Sequence, residues 1–352
     1  MTTQFTLSIS NNTNETGTIF FTLDGSDPIE GGGTAYKTPL TFNTSTRVKA
    51  RVLSTAGEWS ALNDASYVTG TPPRPGDLVL SEIMYHPPGE PGAEFLELLN
   101  INPTQSLDLA LVRFAAGVEF TFPVGSTLAP GERILIVRDE NAFEAIHGSA
   151  HVVAGEFELE GALDNSGDHI TLLDSGGEVL LDFSYGDDPP WPESADGDGD
   201  ALALIDPFAN PDHGLFSSWR SSTSVGGSPG SDDRSVLVGN PTLDRDRDGI
   251  SALLEHLLGT SDLTGDLLND FFKWQHNPDG GTTLFLAFSL AARGVEFPSI
   301  EMSTTLQDWD PVPAEPTFQE HLSAGRALYR WVLPAPQPAQ RYFRIRVSQR
   351  TP

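Results

Sequence analysis

The chain has 352 residues, a formal net charge of −29 and no cysteine. A surface this negative repels nucleic acid and anionic lipid, because phosphate binding requires clustered Lys and Arg. The lack of cysteine excludes disulfides, thiolate nucleophiles and zinc–cysteine sites, and no apolar run reaches the ~20 residues of a transmembrane helix. We therefore expect no nucleic-acid partner and no direct insertion into a membrane.

The first predicted domain spans residues 1–70. A β-rich run, GTIFFTLDGSDP, ends in a turn, and TRVKARVL alternates apolar and basic residues as a half-buried strand does. Together with AYKTPLTF and the following VLSTAGEWS, these pieces resemble the small immunoglobulin-like sandwich at the C-terminus of chitobiase and β-hexosaminidase chains. The resemblance implies an accessory module without catalytic residues. Residues 71–77 form a predicted Pro-rich linker, because several closely spaced prolines do not fit inside a sheet.

The second predicted domain spans residues 78–232 and holds most of the acidic side chains. Short strand-like runs separated by Gly, Pro and Asp turns predict an antiparallel sandwich, and ENAFEAIHG predicts a short helix that Gly148 ends. LSEIMYHPP, EFLELLN, FTFPVGSTLAPGERILIVRD, GALDNSGDHITLLD and VLLDFSYGDDPPWP resemble the lamin tail domain of large bacterial surface proteins. That resemblance implies an immunoglobulin-like sandwich that serves as a structural or interaction module.

Residues 233–262 are predicted to be a linker followed by a calcium-binding loop and helix. Asp244, Asp246, Asp248 and Glu255 occupy positions 1, 3, 5 and 12 of an EF-hand-type loop, and the carbonyl of Ile250 supplies a further oxygen. Alternating carboxylates converge on one cation because such a loop wraps around it. The loop resembles those of dockerin and thrombospondin type 3 repeats. The alternative interpretation is a solvated acidic turn that precedes a helix.

A second acidic run, Asp196, Asp198 and Asp200, also alternates but has no closing glutamate in register. It is either an exposed turn or a second calcium site. Trp59, Trp191 and Trp219 lie in or beside predicted loops, where they either stack on sugars or cover the core. The sequence favours the turn. It also favours a place over the core for Trp191 and Trp219, because both lie inside the stretches that resemble the lamin tail domain.

The last predicted domain, residues 268–352, returns to strands, such as TTLFLAFSL and RYFRIRV. The whole chain is thus predicted to be all-β, with tandem immunoglobulin-like β-sandwiches joined by linkers and one short calcium loop–helix segment.

The sequence predicts that the chain is not an enzyme, because it has no Gly-x-Ser-x-Gly elbow, no phosphate-binding P-loop and no metalloprotease motif. Two functions remain. The first is a structural or adhesive, calcium-stabilised part of a secreted or cell-surface bacterial protein, with an unknown protein or polysaccharide partner. The second is a carbohydrate-binding accessory region of a polysaccharide-degrading enzyme whose catalytic domain lies outside this chain. Either function predicts an extracellular or cell-surface location.

Overall fold

The computed structural model describes residues 5–12, 16–29, 32–335 and 340–350, so residues 1–4 and 351–352 of the predicted terminal domains lie outside it. Within these ranges the chain forms 27 strands and three short α-helices. The strands group into several separate, mainly antiparallel sheets. The prediction of an all-β fold built from immunoglobulin-like sandwiches is therefore confirmed.

The N-terminal sandwich has a small aromatic core. Val48 and Ala50 point inward from the alternating strand TRVKARVL and pack with Phe21 and Phe42. The strands form a four-stranded sheet in the order β3-β2-β5-β6 and a two-stranded sheet β1-β4. Their bounds are β1 (Phe5–Leu7), β2 (Gly17–Thr22), β3 (Thr34–Ala35), β4 (Leu40–Phe42), β5 (Thr46–Ser54) and β6 (Asn63–Tyr67).

The central sandwich contains the largest core of the described residues. Its strands are β7 (Leu78–Met84), β8 (Phe95–Asn100), β9 (Leu107–Asp108), β10 (Arg113–Ala116), β11 (Phe120–Thr121), β12 (Thr127–Leu128), β13 (Arg133–Val137), β14 (Val153–Glu156), β15 (His169–Leu173), β16 (Val179–Ser184), β17 (Leu202–Leu204) and β18 (Trp219–Ser221). A six-stranded sheet, β14-β13-β8-β7-β17-β18, faces a four-stranded sheet, β11-β10-β15-β16, across that core.

A helix covers the other face of the six-stranded sheet. α1 (Glu140–His147) begins where the Asp139 side chain accepts a hydrogen bond from the Ala142 N–H, and it ends at Gly148, whose φ is 80°. Phe143 of this helix packs against Phe95 and Val137 of the sheet. Every residue of β7 and β8 is consequently buried, which explains why both read as nearly continuous apolar runs.

The C-terminal module combines two sheets with two short helices. Its elements are β19 (Ser235–Val236), α2 (Ala252–Leu258), α3 (Leu268–Phe271), β20 (Phe272–His276), β21 (Thr282–Ser289), β22 (Ala292–Arg293), β23 (Ser299–Ser303), β24 (Asp310–Pro311), β25 (Thr317–Leu322), β26 (Arg326–Leu333) and β27 (Tyr342–Arg346). The sheet β20-β21-β26-β25 and the sheet β24-β23-β27 supply most of its core, and β19 pairs with β22 in parallel.

Hydrogen bonds join the neighbouring modules. The Asp108 carboxylate of the central sandwich accepts from the Ser45 hydroxyl at 2.6 Å and from the Gly70 N–H at 3.1 Å. At the other end of that sandwich, the Ser221 hydroxyl donates to the Leu322 carbonyl at 2.8 Å and accepts from the Gly325 N–H at 3.0 Å. Both junctions thus hold side chains of one module against backbone or side chains of the next.

No helix in the described parts of the chain is long and apolar enough to cross a membrane.

Candidate metal centre

The acidic loop folds around its own carboxylates. The Asp244 side chain accepts hydrogen bonds from the backbone N–H groups of Arg247 at 2.7 Å and Gly249 at 3.1 Å, and the Asp248 side chain accepts from the Ile250 N–H at 2.7 Å. Gly249 has a φ of 92°, in the left-handed region that favours glycine. The turn at Gly249 therefore brings the aspartates onto the inside of the loop.

Glu255 is the most unusual residue of this region. It lies on α2, is only 1% exposed, and neither of its carboxylate oxygens has a hydrogen-bond partner among the described residues. One oxygen of Asp246, Oδ2, is likewise buried without a partner. A buried carboxylate without a donor is costly, so buried charges are normally paired or bind a metal ion. These oxygens are therefore available to a cation.

Burial, followed by the neighbouring carboxylates of Asp246, Asp248, Asp262 and Asp266, raises the pKa of Glu255 to about 7. The pKa of Asp246 is raised by the same two causes, burial first and adjacent carboxylates after it. Both shifts thus come first from burial and then from crowded negative charge, and a divalent cation would neutralise that charge.

The structure brings the predicted acidic residues into two adjoining groups. Oxygens of Asp244, Asp246 and Asp248 lie within 4.8 Å of one another, and so do oxygens of Asp248, Glu255 and Asp266. Sequence reasoning missed Asp266, whose N–H donates to the Asp248 carboxylate at 2.7 Å. No local signal identifies it, because it lies 18 residues beyond Asp248 and outside the spacing of the loop.

The donor set suits a hard divalent cation. All the side-chain donors are carboxylate oxygens, which calcium prefers, and the sequence places no cysteine or histidine in the loop. Arg245 forms an ion pair with Asp262 at 3.2 Å, so this arginine neutralises a carboxylate outside the two groups. The Ile250 side chain is buried at 3% exposure in the C-terminal core, and its N–H bonds to Asp248.

Helix α2 belongs to the C-terminal core. Leu257 and Leu258 are at most 1% exposed and pack with Phe271, Leu284 and Trp331. The domain boundary at residue 262 stays a prediction. The segment 233–262 nevertheless contributes side chains to the C-terminal core. The acidic loop is consequently fixed to the C-terminal module through the helix that carries Glu255.

The second acidic run forms no comparable group in the described residues. Asp196 pairs with His86 at 2.7 Å. Asp200 is 5% exposed, and its Oδ2 atom has no partner among the described residues, but it is not grouped with the other two aspartates. The carboxylates of Asp196, Asp198 and Asp200 thus do not converge within 4.8 Å of one another, and a second calcium site there stays a prediction without support from the geometry.

A pair of buried glutamates, which the sequence did not single out, holds the segment 226–230 against the central sheet. Glu82 accepts from the Ser228 N–H at 2.9 Å, and Glu97 accepts from the Gly230 N–H and the Ser81 hydroxyl, both at 2.6 Å. A Cβ on Gly227 would meet a Glu82 oxygen at 2.5 Å, so only glycine fits there. The Gly-rich stretch is therefore a strap across β7 and β8.

Burial raises the pKa of Glu97 to about 7 and, together with the charges of Glu97 and Asp233, raises that of Glu82 as well. A carboxyl whose folded pKa exceeds its unfolded value of 4.5 binds more protons in the folded state, so its contribution to stability is lost as the pH rises through the folded pKa. We therefore expect these two glutamates to lower the unfolding free energy of the central sandwich between pH 4.5 and pH 8 by an amount on the order of a few kcal/mol. Below about pH 6.5 the buried His213 opposes them, because burial lowers its pKa to about 4.

Thermal melts in chelator across this pH range check the expectation. Glu82→Gln keeps an acceptor for Ser228 and removes the titration, so its melting temperature should vary less with pH than that of the parent chain. Glu119→Gln, at an exposed position, serves as the matched control and should keep the parental slope. Equal slopes for all three proteins would contradict the prediction.

Two segments of the chain match known family models. Residues 71–187 match the Lamin Tail Domain, and residues 7–67 match the family Fn3 associated. No curated protein and no solved structure matches the chain. The resemblances to chitobiase-like and dockerin modules stay predictions. The first match covers β7 to β16 and the second covers most of the N-terminal sandwich. The chain therefore contains a lamin tail domain that follows an Fn3-associated segment, within an immunoglobulin-like all-β architecture.

Proposed function

We propose that this chain is a non-catalytic structural or adhesive segment of a secreted or cell-surface protein, and that calcium bound at the acidic loop stabilises it. Its partner is a protein or polysaccharide at the cell surface. Support for a non-catalytic role comes from the two matched modules, which are immunoglobulin-like types that typically carry no catalytic residues.

The observation that carries the calcium proposal is Glu255. It is a fully buried carboxylate with two unpartnered oxygens among the described residues, and it faces further carboxylates. Two carboxylates ~4 Å apart repel by about 1 kcal/mol in water and by more inside a protein. A cation that binds them reverses this repulsion and supplies the missing partners.

The proposed location follows from the proposed ligand. Extracellular modules bind calcium with dissociation constants of about 10⁻⁴–10⁻³ M, and a site of this kind is filled where calcium is abundant. The acidic surface, with a net charge of −29, also fits a module that stays soluble outside the cell and does not bind nucleic acid.

Calcium titration is the direct test. We expect saturable binding in calorimetry and a higher melting temperature in calcium than in chelator, because an ion that binds only the folded state stabilises it. At a free calcium concentration of 100 times the dissociation constant, the gain in unfolding free energy is about 2.7 kcal/mol.

Two variants make this test specific. Glu255→Gln and Asp246→Ala should each clearly reduce the saturable signal and the shift in melting temperature, whereas Asp270→Asn, at an exposed acid on α3, should keep both. A parent chain that gives a flat titration and melts identically in chelator would show that the loop is only an acidic turn.

The second function, a carbohydrate-binding accessory role, has one favouring observation. Trp274 on β20 is 54% exposed, and the centroid of its ring lies 5.1 Å from that of the His276 ring. An aromatic surface with a polar neighbour is therefore open to solvent. By contrast, Trp219 is fully buried in the central core, and Trp191 is partly buried against that core. Retention on an insoluble polysaccharide that is lost in Trp274→Ala would favour this function over the first.

A further inference from the structure

The carboxylates of the acidic loop form two groups that share one residue. Asp244, Asp246 and Asp248 make the loop group, and Asp248, Glu255 and Asp266 make the helix group. Calcium binds oxygens at about 2.3–2.6 Å, so oxygens that bind one ion lie within roughly 5 Å of one another. Within each group this condition holds, while Asp244 and Asp266 fall in different groups.

The available atoms also favour two positions over one. Glu255 offers two buried oxygens without a partner among the described residues, and Asp246 offers one. A carboxylate with both oxygens available can bind one ion with each. Asp248 is common to both groups. Each of its oxygens accepts one backbone N–H, from Ile250 or Asp266, and keeps a second lone pair with which it can bind an ion.

From this arrangement we propose that the loop holds two divalent cations, a second one lying between Asp248, Glu255 and Asp266 beside the one in the loop group. This inference rests on the calcium site of the proposed function and deepens it. The second ion is calcium too, because its side-chain donors are carboxylate oxygens.

The charge balance points the same way. The five residues Asp244, Asp246, Asp248, Glu255 and Asp266 bring five negative charges together when they are ionised. A single divalent ion leaves three of these charges uncompensated in a partly buried cluster, and a second ion leaves one. The ion pair of Arg245 neutralises neither group, because its partner is Asp262, which lies outside both.

The second ion would connect both ends of helix α2. Asp248 precedes the helix, Glu255 lies on it, and Asp266 follows it, two residues before α3 begins. Because Leu258 on α2 and Phe271 on α3 share the C-terminal core, the ion would fix the connection between two core helices. The loop group alone reaches only the N-terminal side of α2.

Calcium calorimetry on the full chain tests the number of ions. We expect two calcium ions per parent chain and one in Asp266→Asn, which retains its backbone hydrogen bond to Asp248. Asp244→Asn should also bind one ion, because it removes only a member of the loop group. Asp262→Asn is the matched control, since it removes one nearby carboxylate that belongs to neither group and should still bind two ions.

The outcomes separate this inference from the proposed function. A parent chain that binds one calcium, with affinity unchanged in Asp266→Asn, overturns the second position and leaves the calcium proposal standing. A single ion that is lost in Asp266→Asn also overturns it, because Asp266 would then share one common site. A parent chain that binds no calcium overturns both. Circular dichroism of each variant in calcium verifies that the fold is retained.

Discussion

Asp233→Ala is expected to destabilise the junction between the central sandwich and the C-terminal module by about 3–5 kcal/mol. Arg220 is completely buried, and its guanidinium forms an ion pair with the Asp233 carboxylate, whose side chain is 7% exposed. The Thr223 N–H and hydroxyl also donate to Asp233, at 3.1 Å and 2.6 Å. Removing the carboxylate leaves a buried positive charge uncompensated, and that desolvation cost is the source of the large effect.

Chemical denaturation measures the loss, and a double variant separates its cause. Arg220→Met with Asp233→Leu removes both charges, so its unfolding free energy should lie much closer to that of the parent than the single variant does. Asp64→Ala is the control for an ion pair at the surface, because Arg47 and Asp64 are both substantially exposed, and it should cost at most about 1 kcal/mol. A single variant at Asp233 that costs no more than this control would refute the argument.

Leu258→Ala is expected to cost about 2–5 kcal/mol of unfolding free energy and to weaken calcium binding. Leu258 is fully buried in the C-terminal core, so truncation removes apolar contacts and leaves a cavity among side chains such as Leu284 and Phe288. The same helix carries Glu255, and a helix that frays or shifts moves this carboxylate away from Asp248. The effect on calcium binding therefore follows from the effect on packing.

The matched control is Leu263→Ala, because Leu263 lies five residues further along and is 68% exposed. This variant should unfold at nearly the parental denaturant concentration and bind calcium normally, since an exposed leucine contributes little to packing. Denaturation curves followed by tryptophan fluorescence, with calcium and with chelator, give both quantities. If both truncations behave alike, helix α2 is not part of the core in solution.

These two variants address different connections of the same assembly. Asp233 lies where the strap of residues 226–230 leaves the central sandwich, and Leu258 lies on the helix that holds the acidic loop to the C-terminal module. His256 of that helix bonds to the Arg293 carbonyl at 3.0 Å, and β22, which includes Arg293, pairs with β19 just after Asp233. The acidic loop and the inter-module junction are thus connected through a continuous set of contacts.

The sequence by itself determined the all-β fold, the helix at residues 140–147 and the loop register of Asp244, Asp246, Asp248 and Glu255. Each depends on local patterns: alternation along a strand, apolar runs between turn residues, and carboxylates spaced within one loop. Sequence patterns of this kind report contacts between residues that are close along the chain. For that reason the short helix after the acidic loop was also predictable from the spacing of its leucines.

Only the tertiary structure decided which distant residues meet. Asp266 joins the carboxylate cluster from 18 residues beyond Asp248, and Glu82 accepts from Ser228 across 146 residues. The abundance of Gly and Ser in residues 226–230 does not reveal that the glycine at 227 allows a close approach to Glu82. Long-range pairing of this kind depends on how the sheets and helices pack, which no periodicity in the local sequence encodes.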